Sequence, residues 1–400
     1  MNFLAQYLLT SLATATLFAS PMTSHQHFTE KNTSPDAFHL YATAEFSTKK
    51  TVSLLGVGDN LIHSSIYSQA QRRSTDGTYD FSVPYEAIAD RIAAADIASV
   101  NQETMIANRS PSDYPLFNSP PELGDKVVKL GFDVVSIANN HMFDMQASGL
   151  QETITFFNAY NDIILTGAYD SMEDYKDIPT ITKNNITFSF VAATQPTNGL
   201  SLPSSSTLIA PVVTDEASIS ELLKQVGRAE RKSDITVVNM HWGTEYTHTP
   251  TNFQYDLAKR LILAGADVVF GHHPHVIQPV EYITRADGSQ GIVVYSLGNF
   301  ISAQNRTATM IGGMLDLEIE KQYGVTSIAN AMFLPIFTHY DGSYQQIRIY
   351  PYDAYTPELA QSHGVRNFSD PLSYAKIYDI VTTTIDQEFL PEDFLTNYAP

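Results

Sequence analysis

The chain has 400 residues, with 23 Lys and Arg against 43 Asp and Glu, a formal net charge of −20, and no cysteine. Hydrophobic residues make up 43% and charged residues 16%, so the chain can bury a large core, which excludes a disordered or fibrous protein. So acidic a surface repels phosphate backbones and anionic headgroups and argues against nucleic acid as a partner. The lack of cysteine removes disulfides, thiolate nucleophiles and sulfur-based metal sites, and leaves His, Asp, Glu and Asn to hold any metal.

In chain order, residues 1–20 contain an uncharged run, Phe3 through Ala19, that reads as an export signal or, uncleaved, as an N-terminal anchor. Residues 21–50 carry Ser, Thr, His and Pro without pattern, as a flexible tether does. From Thr51 short apolar runs recur at Val52–Val57, Ile97–Val100, Val134–Ile137, Ile235–Met240, Val268–Phe270 and Ile292–Leu297. Helix-like stretches lie between them, among them Tyr85–Ala95, Leu123–Leu130, Ser148–Tyr160, Glu216–Arg231 and Phe253–Ala264. Continuous apolar strands alternating with helices predict an α/β architecture whose sheet is covered on both faces. Three strands share one entrance, with small residues followed by Asp: Ala94-Ala95-Asp96, Gly131-Phe132-Asp133 and Gly265-Ala266-Asp267. After Ile311 the pattern turns to strands alone, Met314–Ile319, Ala331–Ile336 and Gln345–Tyr350, before a last helix over Leu372–Phe389. The expected organisation is therefore a main domain over 51–319, with strands and a helix over 320–400 completing it.

Chemistry collects where strands end. Val52–Val57 is followed by Gly58-Asp59-Asn60, Ile97–Val100 by Asn101-Gln102-Glu103, and Val134–Ile137 by Ala138-Asn139-Asn140-His141. Ile235–Met240 leads into His241-Trp242-Gly243, and Val268–Phe270 into Gly271-His272-His273-Pro274-His275. Open α/β sheets build their sites at the carboxyl ends of strands. Oxygen and imidazole donors of this kind suit Zn, Mn or Fe, and a shared carboxylate suits a two-ion centre. Taken singly, Asp59 could cap a helix over Leu61–Ala70, Glu103 could be a surface carboxylate, and Asn140-His141 could be a turn. Trp242 could pack over a pocket. His273-Pro274-His275 is the strongest single signal, since two imidazoles one residue apart on an extended segment point to the same side.

Six separated blocks carry a family resemblance: Gly56-Val57-Gly58-Asp59-Asn60-Leu61, Asn101-Gln102-Glu103, Gly131–His141, His241-Trp242-Gly243-Thr244-Glu245-Tyr246, Gly265–Glu281 and Ser296-Leu297-Gly298-Asn299-Phe300. In this order, over roughly Thr51 to Ile319, they resemble the CapA-type poly-γ-glutamate capsule synthesis proteins, a family similar in fold to calcineurin-like metallophosphoesterases. The resemblance implies a four-layer αββα sandwich with a mostly β C-terminal extension. It also implies export or membrane anchoring at the cell surface, and work on an anionic cell-surface polymer or its precursor, alone or with membrane synthesis-complex subunits. By the same resemblance, one or two divalent ions (Mn, Zn or Fe) would be held by Asp59, Glu103, Asn140, His241, His273 and His275. His141 would be the general acid, and His63, Asn139, Glu245 and Asn299 are accessory candidates. Two departures stand out. The Asp-x-His pair of the wider superfamily reads Asp59-Asn60-Leu61, with His63 either substituting for the absent histidine or facing solvent or core, and Glu103 stands where an aspartate is usual. The expected activity is metal-dependent hydrolysis or transfer at a phosphoester or a γ-glutamyl amide. The competing expectation is a non-catalytic assembly or transport factor.

Overall fold

In a computed structural model, residues 48–400 are described, apart from Pro196. The expected signal or anchor and nearly all of the tether lie outside the described residues. Two sheets form the frame. The first has the order β14-β13-β12-β1-β2-β3-β4, where β1 is Lys50–Asn60, β2 Ile97–Gln102, β3 Val134–Ser136, β4 Ile164–Thr166, β12 Ile311–Gln322, β13 Val325–Asp341 and β14 Gln345–Pro351. β1 to β4 run parallel, and β12 to β14 add an antiparallel meander on the other side of β1. A short β11, Asn299–Ile301, pairs in parallel with the end of β1. The second sheet has the order β5-β6-β7-β8-β10-β9, with β5 Thr180–Lys183, β6 Ile186–Thr194, β7 Ile235–His241, β8 Val268–His272, β9 Ile277–Thr284 and β10 Gln290–Leu297. Its four inner strands are parallel, and the edge strands β5 and β9 are antiparallel.

The period-2 rule sorts the apolar residues of the second sheet between two cores. Val237, Val268, Phe270, Ile292 and Val294 face the first sheet, sharing a core with Leu54, Val57 and Val100. Their neighbours Val238, Met240, Val269, Val293 and Tyr295 face the opposite way, onto Leu222, Val226, Leu257 and Leu261. Those four belong to the helices Glu216–Glu230 and Asn252–Leu263, each opened by a reciprocal capping box, Asp215 with Ser218 and Thr251 with Gln254. Leu123 and Val127 of the helix Pro121–Leu130, and Leu150, Ile154 and Phe157 of the helix Gln146–Asn158, join the core of the first sheet. Helix, sheet, sheet, helix is the four-layer sandwich expected. The helix Tyr374–Thr384 packs against β9. Among the described residues no helix is long and apolar enough to cross a membrane.

The repeated Asp at strand entrances has a plain cause. Asp96 accepts a backbone N–H from Ser53, Asp133 from Ala98 and Asp267 from Thr236, at 2.8 to 2.9 Å. Each carboxylate thus satisfies a backbone donor within the first four residues of the neighbouring strand. Several boundaries differ from expectation. β1 runs on through Asp59 and Asn60, and the following helix starts only at Ser64, so Asp59 caps nothing. The Tyr85–Ala95 stretch is broken: one short helix ends at Tyr85 and another spans Ala89–Ala94. The last predicted helix stops at Thr384, and the tail holds another helix, Glu392–Asn397.

Candidate metal centre

β1 brings Asp59 to the carboxyl edge of the first sheet because the chain can approach β11 closely there. The Asp59 N–H donates to the Gly298 carbonyl at 3.0 Å, and a Cβ on Gly58 would lie 2.0 Å from that oxygen. Only glycine fits. β2 delivers Asn101 and then Glu103, and the turn after β3 delivers Asn139, Asn140 and His141. From the second sheet, β7 ends in His241, and β8 ends in His272 just before His273, Pro274 and His275. Asp59, Glu103, Asn140, His141, His241, His273 and His275 are all buried.

These groups converge on one basin. One oxygen of Asp59 accepts from Asn101 Nδ2 at 2.8 Å, and the other from the His273 backbone N–H at 3.2 Å. His272 Nδ1 and His275 Nδ1 lie 3.5 and 3.3 Å from the same carboxylate. Glu103 Oε1 is 3.8 Å from His241 Nε2 and 3.7 Å from His275 Nε2. Asn140 Oδ1 is 3.0 Å from His241 Nε2. The His241 and His273 rings are 4.8 Å apart. One donor atom each from Glu103, His273 and His275 lies within 4.8 Å of the others, a set that can hold a metal ion.

The electrostatics point the same way. Burial pushes Glu103 well above the ordinary carboxylate range. Burial likewise pushes His241 well below the ordinary imidazole range and His273 down to about 3, which keeps both rings neutral with lone pairs to offer. For Asp59 burial opposes ionisation, but the His272 and His275 imidazoles outweigh it and hold the carboxyl well below its ordinary range. For His275 burial opposes the charge, but Glu103 and Asp59 outweigh it and raise the ring to about 9. Both Glu103 oxygens, His272 Nδ1 and His273 Nδ1 are buried without a hydrogen-bond partner. A buried carboxylate with no donor is costly, and a cation would satisfy it together with the neutral imidazoles. The residues present therefore fit a divalent ion.

His141 stands beside this set. Its Nδ1 is 2.7 Å from Asp144 Oδ2, the oxygen that also accepts the Phe117 N–H. The Phe117 ring meets the imidazole edge-on at 4.7 Å. This pairing orients the ring and assigns the Nδ1 proton, which leaves Nε2 for exchange with a ligand.

The accessory candidates divide. Asn299 Oδ1 is 3.0 Å from His275 Nδ1 and so supports that ring. Asn139 shapes the turn, donating to Gln102 O and accepting from the His141 N–H. His63 Nδ1 accepts the Ala303 N–H at 3.2 Å, and Glu245 is exposed. Neither belongs to the converging donor set. Two expectations are corrected. The segment His273–His275 is not extended, since the two histidines have φ of 99° and 58°; the chain turns sharply after β8, and the turn aims both rings into the basin. Trp242 lies in the outer core beside Tyr295, on the side of the second sheet away from the first, and donates its indole N–H to the Tyr295 carbonyl. Sequence reasoning missed Asn101, Asp144 and His272. Asn101 and His272 sat in quoted motifs, and the spacing His141-x-x-Asp144 was a readable pairing signal.

A layered α/β sandwich with a buried carboxylate and imidazole basin at the carboxyl ends of both sheets defines a protein whose donor set can hold a divalent ion. The chain belongs to the family of bacterial capsule synthesis proteins PGA_cap, which matches residues 53–304. It is 32% identical over 282 residues to the capsule biosynthesis protein CapA of Bacillus anthracis, covering 67% of this chain and 64% of that one. It is 27% identical over 267 residues to the PGA biosynthesis protein CapA of Bacillus subtilis, covering 66% of this chain and 67% of the relative. Among solved structures, the calcineurin-like phosphoesterase YfkN of Bacillus subtilis matches at 14% identity with a TM-score of 0.41, over 72% of this chain and 91% of that one.

Proposed function

We propose that this protein acts in making or processing a poly-γ-glutamate-type cell-surface polymer, as a hydrolase or transferase dependent on one or two divalent ions, Mn, Zn or Fe. The observation that carries the reading is Glu103, whose two buried oxygens lack a donor and whose Oε1 faces both His241 and His275. A bound divalent ion supplies Lewis acidity toward an amide or phosphoryl oxygen and acidifies a water. The chain's own residues do the rest. Asp59, Glu103, Asn140, His241, His273 and His275 would hold the ion. Asn101 and Asn299 orient Asp59 and His275. His141 Nε2 carries the proton that the leaving group takes, while Asp144 stabilises the charged ring. Place of work follows from substrate: a capsule-type polymer lies outside the cell, so residues 1–20 would serve as signal or anchor.

A second reading, a non-catalytic assembly or transport factor in a membrane complex, is favoured by one observation. Leu61 is buried where the phosphoesterase pattern has a histidine, and His63 is turned to the Ala303 N–H, so one ligand of a full two-ion set is missing. The experiment that separates the readings has two arms. Protein purified without chelators is assayed for metal by elemental analysis and for cleavage of poly-γ-glutamate and simple phosphodiesters, beside a His141→Ala variant. Cleavage lost in the variant at unchanged metal content supports the enzyme. Polymer binding without cleavage in either protein supports the assembly factor.

A further inference from the structure

We propose that Arg306 and Tyr246 form a subsite at the rim of the metal basin that receives an oxyanion, a carboxylate or phosphate, of the anionic substrate. The inference rests on the polymer-processing function proposed above and deepens it. The Arg306 guanidinium lies over the Tyr246 ring, 4.0 Å from its centroid. That ring in turn lies 6.1 Å from the His275 ring. Arg306 is exposed, and Tyr246 is 37% exposed. An arginine stacked on an aromatic face keeps its N–H edges turned outward, in the fork that matches a carboxylate or phosphate.

The other arginines sharpen the point. Arg91, Arg109, Arg228, Arg260 and Arg285 each pair with a carboxylate. Among the described residues no carboxylate pairs with Arg306. Five of the chain's eleven arginines are thus held by its own acids, whereas Arg306 is left to stack on Tyr246, whose ring adjoins the buried His275.

The subsite is also anchored to the basin. The Tyr246 N–H donates to the Pro274 carbonyl at 2.8 Å, between His273 and His275. Tyr246 has φ of 64°, a backbone state that a tyrosine seldom adopts and that its surroundings must enforce. Asn299, which holds His275 through Oδ1, uses Nδ2 to reach Ser302 Oγ, Gln304 Oε1 and the Thr309 carbonyl. The Arg306 carbonyl accepts from the Thr309 N–H and hydroxyl. One asparagine thus ties the basin histidine to the loop that carries Arg306. The acidic face repels a polyanion at long range, and the guanidinium supplies a local attraction where a polymer would enter.

The test titrates full-length, metal-loaded protein with a γ-linked glutamate oligomer and, separately, with a glycerol-phosphate oligomer, measuring affinity by calorimetry and metal by elemental analysis. Removing a charged bidentate donor in Arg306→Ala should weaken binding about tenfold or more at unchanged metal content. Arg306→Lys should recover only part of the loss, and Arg260→Ala, on a distant helix, none of the effect. Loss confined to the γ-glutamyl oligomer assigns the subsite to carboxylates. Loss confined to the phosphate oligomer keeps the subsite and overturns the poly-γ-glutamate reading. Wild-type binding that survives Arg306→Ala overturns the subsite alone, whereas wild-type protein that binds neither oligomer overturns both proposals.

Discussion

His141 Nδ1 and Asp144 Oδ2 lie 2.7 Å apart, both side chains buried, three residues apart on one turn. The carboxylate fixes the ring's tautomer and would stabilise the imidazolium that forms when Nε2 is protonated. Asp144→Asn should therefore lower the turnover of the proposed reaction by about 10- to 100-fold without changing metal content, the size of effect seen when a partner orienting a site histidine is lost. Steady-state kinetics beside elemental analysis checks this, and the pH–rate profile of the variant should shift as well.

Glu103→Gln separates stability from metal binding. The substitution keeps shape and removes a carboxyl whose ionisation burial opposes and whose oxygens have no donor. The metal-free variant should melt at a higher temperature than the metal-free parent at neutral pH, because burial makes the parent's carboxyl hold a proton that the unfolded chain releases, a cost the amide does not carry. Its metal affinity should fall at least about tenfold, since a neutral amide is a poor ligand for a divalent ion. Thermal melts with and without added Mn or Zn read both effects.

Gly58→Ala tests how Asp59 is placed. The new methyl would meet the Gly298 carbonyl oxygen at 2.0 Å, a backbone atom that cannot swing aside, so β1 must part from the segment entering β11. A loss of about 3 kcal/mol in unfolding free energy is expected, at the upper end for overpacking a tight site. Denaturant titration measures it.

His363 predicts a pH dependence far from the basin. Its Nε2–H donates to the Thr338 carbonyl, and its Nδ1 accepts the Val365 N–H, so only the neutral ring satisfies both neighbours. Burial pushes the ring down to about 4, with His339 and Arg366 adding to the effect and Asp341 opposing it. The unfolded chain takes up this proton near pH 6.5, so the stabilisation is complete above that value and is lost as pH falls toward 4. Between pH 7 and pH 5 the parent should lose about 2 kcal/mol more stability than His363→Gln. Paired denaturation curves at the two pH values give the difference.

Much of this was legible in the chain. The Asp-opened apolar strands announced the parallel layers, and the acidic, amide and imidazole residues after them announced the site. The parts that were not legible depended on contacts distant in sequence. β6 went unread, although Ile186–Thr194 is as apolar as its neighbours, because no helix-like stretch stands directly before it. The reach of β1 through Asp59 depends on β11, which lies 240 residues later in the pairing Asp59 with Asn299. The free Glu103 oxygens could not be seen in a Gln-Glu pair that reads equally well as surface. The conformation of His273-Pro274-His275 was misread because proline suggests extension, whereas the Asp59 carboxylate and the Tyr246 N–H pin the segment in a turn.

The donors come half from each sheet: Asp59, Glu103 and Asn140 from one, His241, His273 and His275 from the other. An ion seated among them would rivet two halves of the sandwich whose ligands are separated by about a hundred residues of chain. A fragment ending between Asn140 and His241 would keep its acidic donors and lose every imidazole in the converging set, so such a piece should be blind to metal however well it folded. Ion capture would then report that both halves had come together, and the same ion would bias the assembled form against local parting of the sheets.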